Sequence, residues 1–304
     1  MTDREHTTTS SGPAPQPAPD LAAFVTDVAA QGRALYRDLP WRRTRDPYAV
    51  LLSEVMLQQT QVSRVVARYE EWLVDFPTLD ALAAAPLEAV LRAWQGLGYN
   101  RRAIALKRTA EQVAATGSAT GDATLPADEA ALQALPGIGP ATAAGVLAFA
   151  FEQPSVYLET NVRTAFLHEL FADRDAVPDR EITPLVKDAV AEAARQGISS
   201  REWYYALLDY GAHLKRTVPN PSRRSAHHTR QSTFEGSNRQ RRARVLRAVV
   251  AQPGCMSVDY AGHLAAVERE AGRAAISESE TLCILEVLAQ EGFLVEADGA
   301  WFIA

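Results

Sequence analysis

From about residue 20 to 212, apolar side chains recur every three or four positions, the spacing that gives a helix one buried face. This pattern predicts helices over DLAAFVTDVAAQGRALYRD, DPYAVLLSEVMLQQ, TQVSRVVARYEEWLVDF, TLDALAAAP, PLEAVLRAWQGL, NRRAIALKRTAEQVAAT, DEAALQAL and PATAAGVLAFAF. Start signals agree: Asp46-Pro47, Thr78 with Asp80, and Asp128-Glu129 put acids, hydroxyls or proline where the first N–H groups of a helix lack partners. No alternating strand pattern competes, so a mainly α-helical domain with short interhelical loops is expected.

The periodicity fades at 213–237, HLKRTVPNPSRRSAHHTRQSTFEGS, where Pro, Ser and Arg mark a basic loop or linker. A second unit at 238–304 offers three helices, NRQRRARVLRAVVAQ, VDYAGHLAAVEREA and SESETLCILEVLAQEG. It ends in FLVEADGAWFIA, whose Asp298-Gly299 between apolar runs signals a hairpin. Three helices and a two-stranded hairpin predict a small C-terminal winged-helix-like domain. Residues 1–19, with Pro13, Pro15, Pro17 and Pro19 and almost no large apolar side chain, read as a disordered tail.

Composition narrows the class. The chain has 304 residues, 47% of them hydrophobic and 22% charged, which suits a globular chain of two domains. No apolar run approaches the roughly 20 residues that span a bilayer, and the polar start does not suit a secretion signal, so a cytoplasmic, nucleoid-associated monomer is expected. With only Cys255 and Cys283, neither a four-cysteine zinc site nor a cysteine-held iron–sulfur cluster can be built from this chain alone. The net charge of −6 argues weakly against nucleic acid, but its distribution argues the other way. Between Lys215 and Arg247 ten basic residues face the single acid Glu235. Arg37, Arg42, Arg43 and Arg45 form a second group, and Arg101, Arg102, Lys107 and Arg108 a third. These are either phosphate contacts or solvated faces.

Two carboxylates sit in apolar settings. Glu54, within VLLSEVML, is either a buried acid with a raised pKa or part of a polar stripe with Ser53 and Gln58. Glu159, within VYLETN, is the other. Such a pair suits cleavage of a C–N bond to a sugar, one carboxyl protonating the leaving group and the other stabilising the positive sugar. LPGIGPATAAG, with Gly137 and Gly139 between helical segments, is either a plain αα-hairpin or a turn whose N–H groups hold a phosphate.

Taken together, RDLPWRRTRDPYAVLLSEVMLQQTQV at 37–62, GLGYNRRA at 96–103, LPGIGPATAAG at 135–145 and LETNVRT at 158–164 resemble the helix-hairpin-helix DNA glycosylases, most closely the MutY-type adenine glycosylases. The resemblance covers about 20–212 and implies the following. Glu54 protonates the adenine and then handles water. Glu159 stands where the family usually has an aspartate, its extra methylene moving the charge by about a bond length. Asn161 orients that carboxylate. Arg37, Trp41, Leu57 and Gln58 line the pocket of an extruded base, while Gln59 and Tyr99 wedge into the gap. Arg42, Leu135, Gly137, Ile138, Gly139, Thr142 and Arg163 complete the pocket and DNA-binding set. Ala141 stands where lyase relatives keep a nucleophilic lysine, which implies a monofunctional enzyme.

The expected partner is double-stranded DNA with a mismatch or lesion. No cofactor is required, no metal site is expected, and a monovalent cation at the hairpin is allowed by the resemblance alone. Lys215 to His228 replace the family's iron–sulfur region, and 238–304 is shorter than the β-rich domain with which MutY-type enzymes recognise 8-oxoguanine. The substrate expected is adenine opposite guanine or 8-oxoguanine. The alternatives are uracil or thymine opposite guanine on the same fold, and a non-catalytic DNA-binding or damage-sensing protein.

Overall fold

The structure, a computed structural model, describes residues 19–117, 123–229 and 233–304. The tail expected over 1–19 lies outside these apart from Pro19, as does Arg230 of the basic stripe. The eight segments picked out by periodicity are helical: α1 (Leu21–Ala34), α2 (Pro47–Leu57), α3 (Val62–Asp75), α4 (Leu79–Ala84), α5 (Leu87–Ala93), α6 (Arg101–Gly117), α7 (Glu129–Gln133) and α8 (Pro140–Phe149). Asp46, Thr78 and Asp128 accept N–H bonds as N-caps of α2, α4 and α7, the role their residue types suggested. Three more helices, α9 (Thr160–Glu169), α10 (Asp179–Arg195) and α11 (Ser200–Thr217), complete the helical body.

α11 organises this body. Its Trp203, Tyr204 and Leu207 are fully buried, and Phe24 of α1 meets the rings of both Phe166 and Trp203 edge-on. A Cβ on Gly32 would overlap Ala206, and one on Gly211 would overlap the carbonyl of Asn161, so α11 lies backbone to backbone against α1 and against the start of α9. The helix runs to Thr217, five residues beyond the boundary that the sequence pattern suggested at 212. Leu214 stays buried, basic Lys215 and Arg216 suit the carbonyl end of the helix, and Pro219 follows its end.

Beyond α11 the aperiodic segment folds back onto the body. A short 3₁₀ turn at Pro221–Arg224 is capped by Asn220, and Arg224 donates to the carbonyls of Leu167 and Phe171 at the end of α9. Ser225 bridges to Val177. The C-terminal unit contains α12 (Asn238–Ala251), β1 (Cys255–Met256), α13 (Ser257–Glu270), α14 (Glu278–Gln290), β2 (Leu294–Ala297) and β3 (Ala300–Ile303). The expected hairpin forms at Asp298-Gly299, both at positive φ, but the sheet has three strands in the order β1-β3-β2. β1 is two residues long, too short to leave an alternating signal. No helix among the described residues is long and apolar enough to cross a membrane.

Several basic residues of these clusters face neither phosphate nor solvent but turn inward. Arg42 is buried, its guanidinium forming two bonds of 2.6 and 2.8 Å to Asp209 of α11, while Arg37 Nε reaches the same carboxylate at 2.5 Å. Arg102 donates to carbonyls at the end of α2 and to those of Leu97 and Gly98, and burial lowers its pKa to about 10. Lys107 is buried against the Ala83 carbonyl and Glu111. On α12, Arg241, Arg242 and Arg244 pair with Glu280, Glu291 and Glu268. Charge counting does not separate a phosphate contact from a clasp on neighbouring carbonyls or acids.

Because Arg42 and Asp209 are both desolvated, Asp209→Ala is expected to cost about 3–5 kcal/mol of stability by stranding a buried guanidinium. Denaturant unfolding of wild type and variant reads this directly; a loss below about 1 kcal/mol, typical of exposed pairs, would contradict it.

Candidate active site

Glu54 lies in the middle of α2, whose other faces are almost wholly apolar and buried. The residue is half-buried by area, but its carboxyl is enclosed by protein on the α8 side: a Cβ on Gly145 would overlap it, with the Glu54 Cδ only 2.9 Å away. The Tyr157 hydroxyl hydrogen-bonds to this carboxyl. Burial pushes the Glu54 pKa up to about 8; the Tyr157 bond opposes the rise and the neighbouring Glu159 charge adds to it. The acid is therefore neutral and able to donate a proton at pH 7.

Glu159 caps α9. Its Oε1 accepts from the backbone N–H of Asn161 at 2.5 Å and of Val162 at 3.0 Å. Burial is the largest effect and leaves its pKa raised, although those two bonds together with Lys215 and Arg163 pull the other way. Tyr157 stands electrostatically against both acids, and its backbone N–H donates to Tyr204 Oη, which in turn donates to the Ser155 carbonyl. The structure thus brings Glu54 and Glu159 together around Tyr157, both stripped of water, with Glu159 also held by backbone donors. Burial raises both carboxyls, and only Glu159 has backbone N–H donors and nearby cations that oppose the rise.

The remaining expected residues fall into three places. Arg37 and Arg42 meet on Asp209, with Arg42 stacked over Tyr205, and Trp41 is buried edge-on against Tyr69. Arg42 therefore corrects the expectation of an open phosphate contact, because it is buried and both of its Nη groups are bound to Asp209 instead. Leu57 ends α2, and Gln58 donates to Thr142 of α8 at 3.1 Å. Gln59 and Tyr99 are exposed and both hold positive φ, a left-handed backbone uncommon for such residues. Arg239 of α12 donates to Tyr99 Oη at 2.6 Å, which brings the C-terminal unit to the edge of the site. Arg163 pairs with Asp179.

In the hairpin, Leu135 and Ile138 are buried anchors, whereas Gly137, Gly139 and Ala141 are exposed. Gly137 adopts φ +73, and a Cβ there would overlap Ala105 of α6, so two constraints exclude other residues. The carbonyls of Leu135 and Pro136 accept from the Ile138 N–H and the Thr109 hydroxyl. A cavity of about 220 Å³ backs this turn, walled by Leu51, Val55, Gln58, Arg102 and Ile138. Glu54 is not in its wall. Among the described residues no group of three or more His, Cys, Asp or Glu is placed to hold a metal ion.

Tyr157, Gly145, Asp209 and Lys215 belong to this neighbourhood without having stood out in the sequence as parts of it. Tyr157 lies two residues before Glu159 in an extended stretch and Gly145 ends the hairpin motif, so proximity to known motifs was the available signal. Asp209 and Lys215 carried none.

The raised pKa of Glu54 has a thermodynamic consequence. Below its ordinary value of 4.5 the group is protonated in folded and unfolded chains alike. From there to about pH 8 only the unfolded chain ionises it, so stability falls as pH rises, by about 1.4 kcal/mol per pH unit. Glu54→Gln removes this loss. Denaturation midpoints of wild type and variant should coincide near about pH 4 and separate in favour of the variant by about pH 7; parallel curves would show that Glu54 is solvated.

Residues 52–190 match the profile of the HhH-GPD superfamily base excision DNA repair proteins. The adenine DNA glycosylase of Mycobacterium tuberculosis is 34% identical over 242 residues, spanning 73% of this chain and 76% of that protein. The adenine DNA glycosylase of Mycolicibacterium smegmatis is 38% identical over 178 residues, 58% of each. Among solved structures, a thermostable thymine-DNA glycosylase superposes with a TM-score of 0.53 at 23% identity, covering 63% of this chain and 86% of the other. A non-covalent endonuclease III–DNA complex gives 0.51 at 17%, covering 74% and 95%. These two likenesses speak to the fold alone. With the helical body, the hairpin and the paired carboxylates in place, the chain belongs to the HhH-GPD superfamily of base excision DNA repair proteins and is related to the adenine DNA glycosylases.

Proposed function

We propose that this protein is a monofunctional DNA N-glycosylase that removes adenine mispaired with guanine or 8-oxoguanine by hydrolysing the N-glycosidic bond. The observation that carries this reading is the Glu54 carboxyl, enclosed against Gly145 and Tyr157, beside the donor-held Glu159. The Glu54 carboxyl gives its proton to a ring nitrogen of the extruded base as the C1′–N bond breaks and its electron pair leaves with the base. Positive charge then develops on the sugar and is stabilised by the Glu159 carboxylate. Water adds to C1′, its proton passes to Glu54, and the acid is regenerated with an abasic site as product. Every step uses side chains, and none is routed through an ion.

Exposed Ala141 at the first turn of α8 offers no amine for a Schiff base, which supports base removal without lysine-dependent strand cleavage. Double-stranded DNA as the partner is supported by the exposed hairpin, whose glycines let a phosphate approach the backbone, and by the left-handed turns that present Gln59 and Tyr99. The C-terminal unit, with its helix-strand-helix-helix-hairpin order, has the make-up of a winged helix and meets the DNA face through Arg239.

Single-turnover base release from duplexes carrying one A·8-oxoguanine, A·G, U·G or T·G pair, followed by alkali, tests the reading. Adenine is expected to leave from the first two, with the rate falling by roughly 10²-fold or more in Glu54→Gln. Release confined to uracil or thymine would replace adenine by a pyrimidine; no release in wild type or in Glu159→Asp would leave a DNA-binding protein.

A further inference from the structure

Lys215 lies in the basic stretch that charge alone assigns to phosphates, yet its side chain turns into the site. It stands one helical turn after Gly211, on the face of α11 that touches the backbone of Asn161. Its Nζ donates to Asn161 Oδ1 at 2.8 Å. Asn161 in turn offers Glu159 its backbone N–H at 2.5 Å and its amide Nδ2 at 3.5 Å. The chemistry of this chain of contacts is one-directional. An ammonium group has donors and no acceptor, so only the oxygen end of the Asn161 amide can face it. The NH₂ end must then face Glu159.

We infer that Lys215 is a positioning residue for the sugar-side carboxylate: it sets the orientation of the Asn161 amide and places a fixed positive charge beside Glu159. The catalytic consequence rests on the glycosylase reading proposed above; the geometric one does not. The charge matters because Glu159 is buried and has Glu54 of α2 as a like-charged neighbour if both ionise. The groups facing Glu159 are Lys215 from α11, Arg163 and the N–H groups of Asn161 and Val162 from α9, Tyr157 from the preceding segment and Glu54 from α2. Arg163 is bound to Asp179 of α10, which divides its charge. Among the described residues no carboxylate lies within ion-pair distance of Lys215, and Glu159 is the acid that acts on its charge. In return burial lowers the pKa of Lys215 while Glu159 holds it up. A longer carboxylate side chain at 159 has more rotamers than an aspartate, and a fixed amide on one side with a cation beside it reduces that freedom.

The test compares full-length wild type with Lys215→Met and Lys215→Arg in three measurements: single-turnover base release at saturating enzyme across pH, duplex affinity across salt, and the titration of the Glu159 carboxyl by ¹³C NMR. Lys215→Met is expected to lower the saturating rate by roughly 10- to 100-fold. The acid limb of its pH profile moves to higher pH, because Glu159 without the cation stays protonated further up the scale. Its duplex affinity and salt slope stay at the wild-type values. Lys215→Arg, which keeps charge and donors, recovers most of the rate. A Lys215→Met variant with an unchanged saturating rate and a salt slope reduced by about one would overturn the inference in favour of a phosphate contact. Equal losses in both variants at every pH, with lowered thermal stability, would overturn it in favour of a packing role. Should wild type release no base from any duplex, the NMR arm still decides: an upward shift of Glu159 in Lys215→Met supports the positioning role while the glycosylase reading fails, and an unmoved titration removes the role itself.

Discussion

Helix α11 approaches α1 and α9 so closely that only hydrogen fits between them, at Gly32 against Ala206 and at Gly211 against Asn161. That approach sets the spacing of everything around it. With α11 fixed, Asp209 gathers Arg37 and Arg42 from the far end of the chain, Arg201 donates to the carbonyls of Phe149, Arg42 and Thr44, and Lys215 reaches the first turn of α9. These buried polar groups find partners distant in sequence, which turns a stack of amphipathic helices into one arrangement. Loss of either contact glycine would push α11 outward and take the partners of Asn161 and Arg42 with it.

A further glycine contact, between α8 and α2, bears on the two acids. Glu54 sits where α2 meets α8, and Gly145 removes the side chain that would have kept it at a distance. Water is displaced, and the neutral acid is favoured. Glu159 sits at a helix start, where free N–H groups point outward and favour negative charge. Tyr157 holds the two within electrostatic reach of each other. The two acids thus differ in setting, Glu54 lying mid-helix in α2 and Glu159 at the start of α9, where two backbone N–H groups reach it.

The contact between Arg239 and Tyr99, with Glu291 bridging Arg101 and Arg242, ties the C-terminal unit to the helical body close to the exposed left-handed turns. Its α12 is rich in arginine, but three of those arginines serve the unit's own acids. The short domain is thus anchored beside the site while much of the charge on α12 is paired within the unit itself.

The sequence by itself determined the helices, because their periodic faces, caps and breakers are local, and it identified Glu54, Glu159, Asn161 and the hairpin glycines, because short contiguous motifs carry them. Periodicity found Leu51 and Val55 as core and left Glu54 conspicuous among them. Only the tertiary structure decided which charges face inward. Arg42 and Arg102 look like Arg43 and Arg101 in sequence, yet the first pair lies within the body and the second stays exposed. Nothing local to Asp209 or Lys215 announces a partner 167 or 54 residues away. The physical reason is that burial of a charge depends on which backbones can come together, and here that depends on glycine contacts between segments far apart in the chain.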